Sequence, residues 1–368
     1  MSQVPDNNIP ADYRSIVLLN PTRYLGNLLI AGGLIQDFYN YCHQRGIRFL
    51  LVVDESYREL LQGFLPPESL LFYPRQRIKK GNLWQQASAY LSCLFAIRRF
   101  RADIAFNIEE DSVSHRLTQL SGARFRLGSN RQRNRHGYDY VLDINYRQRS
   151  PSRRHRWYGY EDVFIPLGLK DAKADYLRLS LPAPDQRFTE KLQSLGLGEH
   201  EPFIIIHASA AKDYKKWPAR NFAELIRLLA GHQYTCVLIG AGTADQSANS
   251  HVLKLLAELA PEVKVPDLCN QLSLLELALL MKQSRGMVGN DSGPFHLGSA
   301  VGLPGCVIFG PTEVALWRPL SAHSVVLKAE GECAVACTKT GCIYDNRCLR
   351  AITPEAVLTQ LLPLMDKG

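Results

Sequence analysis

The sequence predicts an α/β protein built from two doubly wound domains in tandem, and three observations carry that reading. Short, unbroken apolar runs such as Ser15–Asn20 and Phe203–His207 have the character of strands buried on both faces of a parallel sheet. Longer amphipathic segments alternate with these runs, as crossover helices must. The pattern fades between Gly168 and Glu201, where Pro182, Pro184 and Pro202 mark a domain edge, and then restarts. With 368 residues the chain is long enough for two separate cores.

In order, the first half reads as strand Ser15–Asn20, loop Pro21–Gly26, and a helix opening at Asn27 and ending near Arg45-Gly46. Strand Arg48–Asp54, a short helix Tyr57–Phe64, strand Ser69–Tyr73 and the amphipathic helix Asn82–Phe100 follow. Ala102–Ile108 is a fourth strand, Val113–Leu120 helical and Tyr138–Tyr146 strand-like. The second half reads as strand Phe203–His207, helix Ala219–Leu229, strand Thr235–Gly240, helix Asn249–Leu259 and helix Leu274–Lys282. Strands at Met287-Val288 and Cys306–Phe309 come next, with an edge strand at Val325–Leu327. Thr353-Pro354-Glu355 starts a last helix, Ala356–Met365, with proline in the first turn where its missing N–H costs nothing. The implied domains are 1–185, 186–350 and a terminal helix 351–368 that packs back on the first domain.

Hydrophobic residues make up 46% of the chain and charged residues 21%, as in soluble globular proteins. No apolar run approaches the roughly 18–20 residues that span a bilayer, and the polar start Met1–Arg14 lacks a signal pattern. A cytoplasmic location is the expectation. The net charge is +8, concentrated in an arginine-rich stretch that includes Arg131, Arg133, Arg153 and Arg154. Such a field suits anionic partners. Nucleic acid is not among those expected, because no recognition motif or interleaved aromatic platform accompanies the arginines. Four of the nine cysteines crowd together as Cys333, Cys337, Cys342 and Cys348. They are candidate ligands of a structural metal, at looser spacing than a zinc ribbon, or reduced thiols organising a loop.

The most informative stretch is Gly286–Ala300, a buried strand, a polar turn and an apolar helix. Asp291 or Ser292 is placed to cap the helix, Pro294 suits its first turn, and Gly293 lets an anion approach the backbone amides. His296 is positioned to add a donor to a phosphoryl oxygen. Two further strand ends carry chemistry. His207-Ala208-Ser209 leads into Lys212–Pro218, where a lysine can neutralise a diphosphate as a point charge. Gly240–Asp245 places glycines, Gly242 among them, where a nucleoside can approach the backbone, with Asp245 suited to ribose hydroxyls.

These segments, in this order, resemble the bacterial ADP-heptose:lipopolysaccharide heptosyltransferases of glycosyltransferase family 9. The carriers are His-Ala-Ser followed by Lys-Lys-Trp-Pro, Leu-Ile-Gly-Ala-Gly, Asp267-Leu with Leu274-x-Glu-Leu, Asn-Asp-Ser-Gly-x-x-His, and Phe309-Gly-Pro-Thr312. The cysteine cluster running into Ile352-Thr-Pro-Glu355 is also similar. The resemblance implies a GT-B fold, two Rossmann-like domains facing a cleft, with the acceptor on the first and the nucleotide sugar on the second. It implies inverting heptosyl transfer from an ADP-sugar with no required metal or other cofactor. The implied acceptor is a phosphorylated, lipid-linked inner-core or related surface glycan, met at the cytoplasmic face of the inner membrane with peripheral membrane contact. Ser209, Lys215, Gly242, Asp245, Asp291, Ser292, Gly293 and His296 are then the nucleotide-sugar contacts, and Arg131, Arg133, Arg153 and Arg154 the acceptor contacts.

One departure stands out. Where the family usually carries Gly-Asp at the start of the first helix, with the carboxylate as the base, this chain has Gly26-Asn27. A carboxamide cannot take the acceptor proton at neutral pH. Asn27 reads equally as a helix N-cap, and Glu109, Glu110 and Asp111, after the fourth strand, are the alternative bases. A different nucleotide sugar, or a catalytically silent sugar-binding protein, are the competing expectations.

Overall fold

A computed structural model describes residues 9–109, 111–129, 136–142, 144, 150–197, 202–329, 342 and 345–366. The chain divides into two compact units, Met1–Ser180 and Leu181–Gly368.

The first unit is a parallel sheet of six described strands: β1 (Ser15–Asn20), β2 (Arg48–Asp54), β3 (Leu70–Tyr73), β4 (Ile104–Phe106), β5 (Phe125–Ser129) and β6 (Tyr140–Leu142). Their spatial order is β3-β2-β1-β4-β5-β6. The order reverses between β1 and β4, so the crevice at the carboxyl ends of these two strands is the topological switch point. Helices α1 (Leu25–Gln44), α2 (Arg75–Lys80), α3 (Leu83–Phe100), α4 (Ser112–Leu120) and α5 (Arg156–Phe164) flank or border the sheet. β1 and most of β2 are wholly buried, which explains their unbroken apolar composition.

Helix α1 is buried along most of its length because residues 175–177 lie against it, the Leu177 N–H donating to the Leu29 carbonyl at 2.8 Å. Gly32 and Gly33 make that approach possible: a Cβ on Gly33 would sit 2.6 Å from the Asp175 carbonyl oxygen.

The expected helix at Tyr57–Phe64 does not form. Only Glu55–Tyr57 makes a tight 3₁₀ turn. Asp54 Oδ1 draws it closed by accepting from the Ser56 N–H at 3.0 Å and the Ser56 hydroxyl at 2.7 Å, and Gly63 takes φ +75°. Strand β5 and helices α2 and α5 are elements that the sequence reading did not assign.

The second unit is a parallel sheet of five strands: β7 (Phe203–His207), β8 (Thr235–Leu238), β9 (Gly286–Asn290), β10 (Gly305–Phe309) and β11 (Ser324–Lys328). Their order, β11-β10-β9-β7-β8, puts the switch point between β7 and β9. Around it lie α6 (Gln186–Ser194), α7 (Ala219–Gly231), α8 (Thr243–Leu259), α9 (Leu274–Gln283), α10 (Gly293–Ala300), α11 (Val314–Trp317), α12 (Arg347–Arg350) and α13 (Pro354–Met365). α6 stands in the stretch read as a linker and is capped by Asp185, whose Oδ1 accepts from the Phe188 N–H at 2.7 Å.

Helix α13 packs on α7 and on β9, β10 and β11 within the second compact unit. Val357, Leu361 and Met365 line its buried side. Wholly buried Trp217 ties this end to the core, its Nε1 donating to the Ile352 carbonyl at 2.9 Å.

Gly33→Ala should lower stability by about 1–3 kcal/mol, because overpacking against fixed backbone outweighs the roughly 0.5–1 kcal/mol that alanine gains in a helix interior. A urea midpoint equal to that of the wild type would contradict this packing.

Candidate functional site

The polar residues of the second unit gather where β7 and β9 end side by side. Asn290, the last residue of β9, is wholly buried, and its carboxamide bridges both strand ends. Oδ1 accepts from the Trp217 N–H at 2.8 Å, and Nδ2 donates to the Ser209 carbonyl at 3.2 Å. These two bonds anchor the loop that carries Lys215. Lys215 Nζ then lies 2.9 Å from Asp291 Oδ2.

Ser292 is the N-cap residue of α10 but its side chain does not cap the helix. Its hydroxyl instead meets His207 Nδ1 at 3.0 Å. With Pro294 in the first turn, α10 presents an uncapped amino end at the switch point, flanked by the Lys215 ammonium. A helix end of this kind attracts anions through its unpaired amides and dipole.

His296 is buried, and desolvation lowers its pKa to about 4. Asp291 opposes that shift and Lys215 adds to it. The ring is therefore neutral near pH 7.

His207 Nε2 is 3.5 Å from Asp245 Oδ2. Asp245 also accepts from the Ala241 N–H at 2.9 Å, closing the turn before α8. Burial alone would raise its carboxyl; the nearby His207 ring and the hydrogen bond from the Ala241 amide outweigh that and bring it to about 2. Ser209 is wholly buried beside this carboxylate. Gly242 takes φ +87° as the N-cap of α8, and its N–H donates to Asn270 Oδ1 at 2.5 Å. The second unit thus brings Lys215, Asp291, Ser292, Gly293 and His296 to one strand end, with Asp245 joined to them through His207 and Ser209 through Asn290. Asn290 and His207 are the members that sequence reasoning missed as working residues. An asparagine closing an apolar strand ahead of Asp-Ser-Gly was the available signal.

The switch point of the first unit holds a second cluster. Asn27 is not a helix cap: α1 starts at Leu25 with Tyr24 as N-cap, and Asn27 is its third residue. Its Nδ2 donates to Glu109 Oε2 at 3.1 Å. Glu109 Oε1 accepts from the Tyr160 hydroxyl at 2.7 Å, and Arg156 approaches Oε2 at 3.4 Å. Asn107 Nδ2 holds the Glu109 carbonyl at 3.0 Å. Burial raises the Glu109 pKa, against the lowering effects of Arg156, Tyr160 and Asn27. Nearby, Asn20 ends β1 fully buried, its carboxamide without a hydrogen-bond partner among the described residues.

The other candidates fare differently. Asp111 is the N-cap of α4, its Oδ1 accepting from the Val113 and Ser114 amides at 3.0 Å each. Arg153 is half-exposed and bonded to Glu161 at 2.7 Å, and Arg154 is its neighbour. Glu110, Arg131, Arg133, Cys333 and Cys337 lie outside the described residues. Cys342 and Cys348 are partly buried, and no cluster of metal-ligating side chains occurs among the described residues.

Two doubly wound parallel units, the second with an open helix end at its switch point, define a protein of the GT-B fold class. Residues 91–347 match the pattern of "Glycosyltransferase family 9 (heptosyltransferase)", and the chain belongs to that family. It is 27% identical to lipooligosaccharide heptosyltransferase 2 of Campylobacter jejuni over 155 residues, 42% of this chain and 48% of that protein. Matches to curated relatives such as this one span about half of their length. The crystal structure of a family 9 glycosyl transferase from Veillonella parvula superposes with a TM-score of 0.76 at 20% identity, covering 98% of this chain and all of the other (100%). E. coli ADP-heptose lps heptosyltransferase II gives a TM-score of 0.71 at 18% identity, with 96% and 99% covered.

The depressed His296 titration makes stability pH-dependent. Between the unfolded value near 6.5 and the folded value near 4, the unfolded chain binds the extra proton. Stability from this group is therefore whole above about pH 6.5 and lost as pH falls toward 4, an effect of about 3 kcal/mol. His296→Gln should flatten the melting-temperature profile across that window; parallel profiles for variant and wild type would contradict the burial of a neutral ring.

Proposed function

We propose that this chain is an inverting, metal-independent glycosyltransferase that moves heptose from ADP-heptose to an inner-core sugar of lipopolysaccharide or a related surface glycan. The observation that carries this reading is the uncapped start of α10 beside Lys215, a pre-formed diphosphate cradle at a topological switch point. The names of the relatives, heptosyltransferases and an ADP-heptose enzyme, supply the nucleotide and sugar.

In this reading the donor diphosphate lies on the amides of Gly293 and Phe295. Lys215 turns from Asp291 to the phosphate oxygens, and Asp291 and Ser292 contact the sugar. Neutral His296 supports the same oxygens. Charge develops on the departing ADP as the anomeric C–O bond breaks, and a lysine with fixed amide dipoles stabilises it electrostatically. Ser209 and the Gly242–Asp245 turn border the nucleoside.

On the acceptor side Glu109 takes the role of base. The acceptor oxygen bonds to the anomeric carbon, the electron pair of the broken bond leaves with ADP, and the hydroxyl proton passes to Glu109. Asn27 then orients the carboxylate that it cannot replace, and Arg156 and Tyr160 oppose the rise in its pKa that burial causes. A catalytically silent protein would not need a buried carboxylate at the switch point. The arginines of the first unit suit the acceptor's phosphates.

Glu109→Gln should lower kcat by ~10²–10⁴-fold, the usual worth of a general base. Because Glu109 must be ionised and burial raises its pKa, wild-type kcat should rise with pH through that titration, and the variant should lose this limb. Adding Asn27→Asp to Glu109→Gln should recover part of the rate by restoring a carboxylate at the same place. Full activity of Glu109→Gln, measured as ADP release with ADP-heptose and a heptose-deficient core acceptor, would exclude it as the base.

A further inference from the structure

Helix α3 shows an apolar face to solvent that neither its own unit nor the proposed chemistry uses. Its inner side is ordinary: Cys93, Leu94 and Ile97 are buried against the sheet. Its outer side carries Trp84, Leu91 and Phe95, spaced as i, i+7 and i+11, with Leu83 beside Trp84. Their exposures are 87%, 59%, 67% and 82%, which makes them four of the seven large hydrophobic residues exposed among the described residues. At 1.5 Å per residue the stripe from Trp84 to Phe95 runs about 16 Å along one face.

The charge around the stripe has one sign. Between Glu68 and Asp103 the chain has no acidic residue. Arg77, Lys79 and Lys80 are exposed on or next to α2, which ends three residues before Leu83, and Arg98, Arg99 and Arg101 are exposed at the far end. Arg75 is excluded because it is paired with Asp54. The apolar face is thus bracketed by cations at both ends, with a tryptophan next to the first group.

We propose that α3, with α2, is the surface by which this protein sits on an anionic phospholipid bilayer, its apolar stripe entering the interface and its cations meeting the headgroups. Apolar area and basic flanks are the two terms that hold an interfacial helix on a membrane, and each cation near such a surface adds to the binding. A second copy of the chain is the poorer occupant, since stacking two such faces would set six cations against six. Among the described residues no helix is long and apolar enough to cross the bilayer.

The test uses full-length protein and vesicles with no sugar present, so its failure would leave the heptosyl-transfer reading standing, and the reverse. Phosphatidylethanolamine–phosphatidylglycerol vesicles should co-sediment the protein at low salt, and phosphatidylcholine vesicles should bind at least tenfold less. The emission of Trp84, read as the difference between wild type and Trp84→Phe, should shift to the blue on binding. Leu91→Ser/Phe95→Ser and Lys79→Glu/Lys80→Glu should each weaken binding at least tenfold without changing the melting temperature or the rate on a water-soluble, acyl-free acceptor. Equal sedimentation of wild type and both variants would overturn the proposal. So would a wild-type dimer that Leu91→Ser/Phe95→Ser converts to monomer, because the stripe would then belong to a second copy.

Discussion

The working end of the second unit depends on one side chain, the buried carboxamide of Asn290. A parallel sheet delivers its strand ends to one edge, but adjacent ends diverge into separate loops and nothing in the ladder holds those loops together. Asn290 does so with two hydrogen bonds, one to the Trp217 amide and one to the Ser209 carbonyl. The first places Lys215 over the start of α10, and the second keeps the strand leading from His207 against β9. Removing the carboxamide would leave a buried amide and a buried carbonyl unpaired, at about 1–3 kcal/mol for each. Position and stability at this site are therefore the same interaction.

The two switch points solve a common problem with opposite charges. In the second unit the fixed positive end of a helix and a lysine face outward from a neutral histidine. In the first, a carboxylate is buried and needs neutralising. Glu109 receives that from Arg156, Tyr160 and Asn27, which arrive from α5 and α1. Asn27 is one of the donors to this carboxylate, which follows the neighbouring strand end.

Much of the fold was legible because parallel strands are apolar on both faces: β1, β2, β7 and β10 needed little beyond their composition. β5 was hidden because Arg124 and Arg126 break its run, and Arg126 is drawn outward to Asp139. α6 was hidden because Pro182 and Pro184 precede it and most of its residues are polar. At the site, the start of α10 after a polar turn was legible from spacing, while the use of Ser292 was not. A serine before Gly-Pro has every local reason to cap, and only the fold brings His207, 85 residues away in sequence, to take its hydroxyl. Asn27 was misread for the same reason, since its partner lies 82 residues further on. Local rules describe what a side chain does without tertiary partners, and both residues have one.

The account rests on the α10 helix end being a diphosphate site, and titration of ADP into the purified protein tests it most directly. It predicts saturable binding of ADP without added metal, weakened at least tenfold by Lys215→Ala while the melting temperature of the free protein stays the same. Absence of ADP binding, or equal affinity in Lys215→Ala, would contradict it.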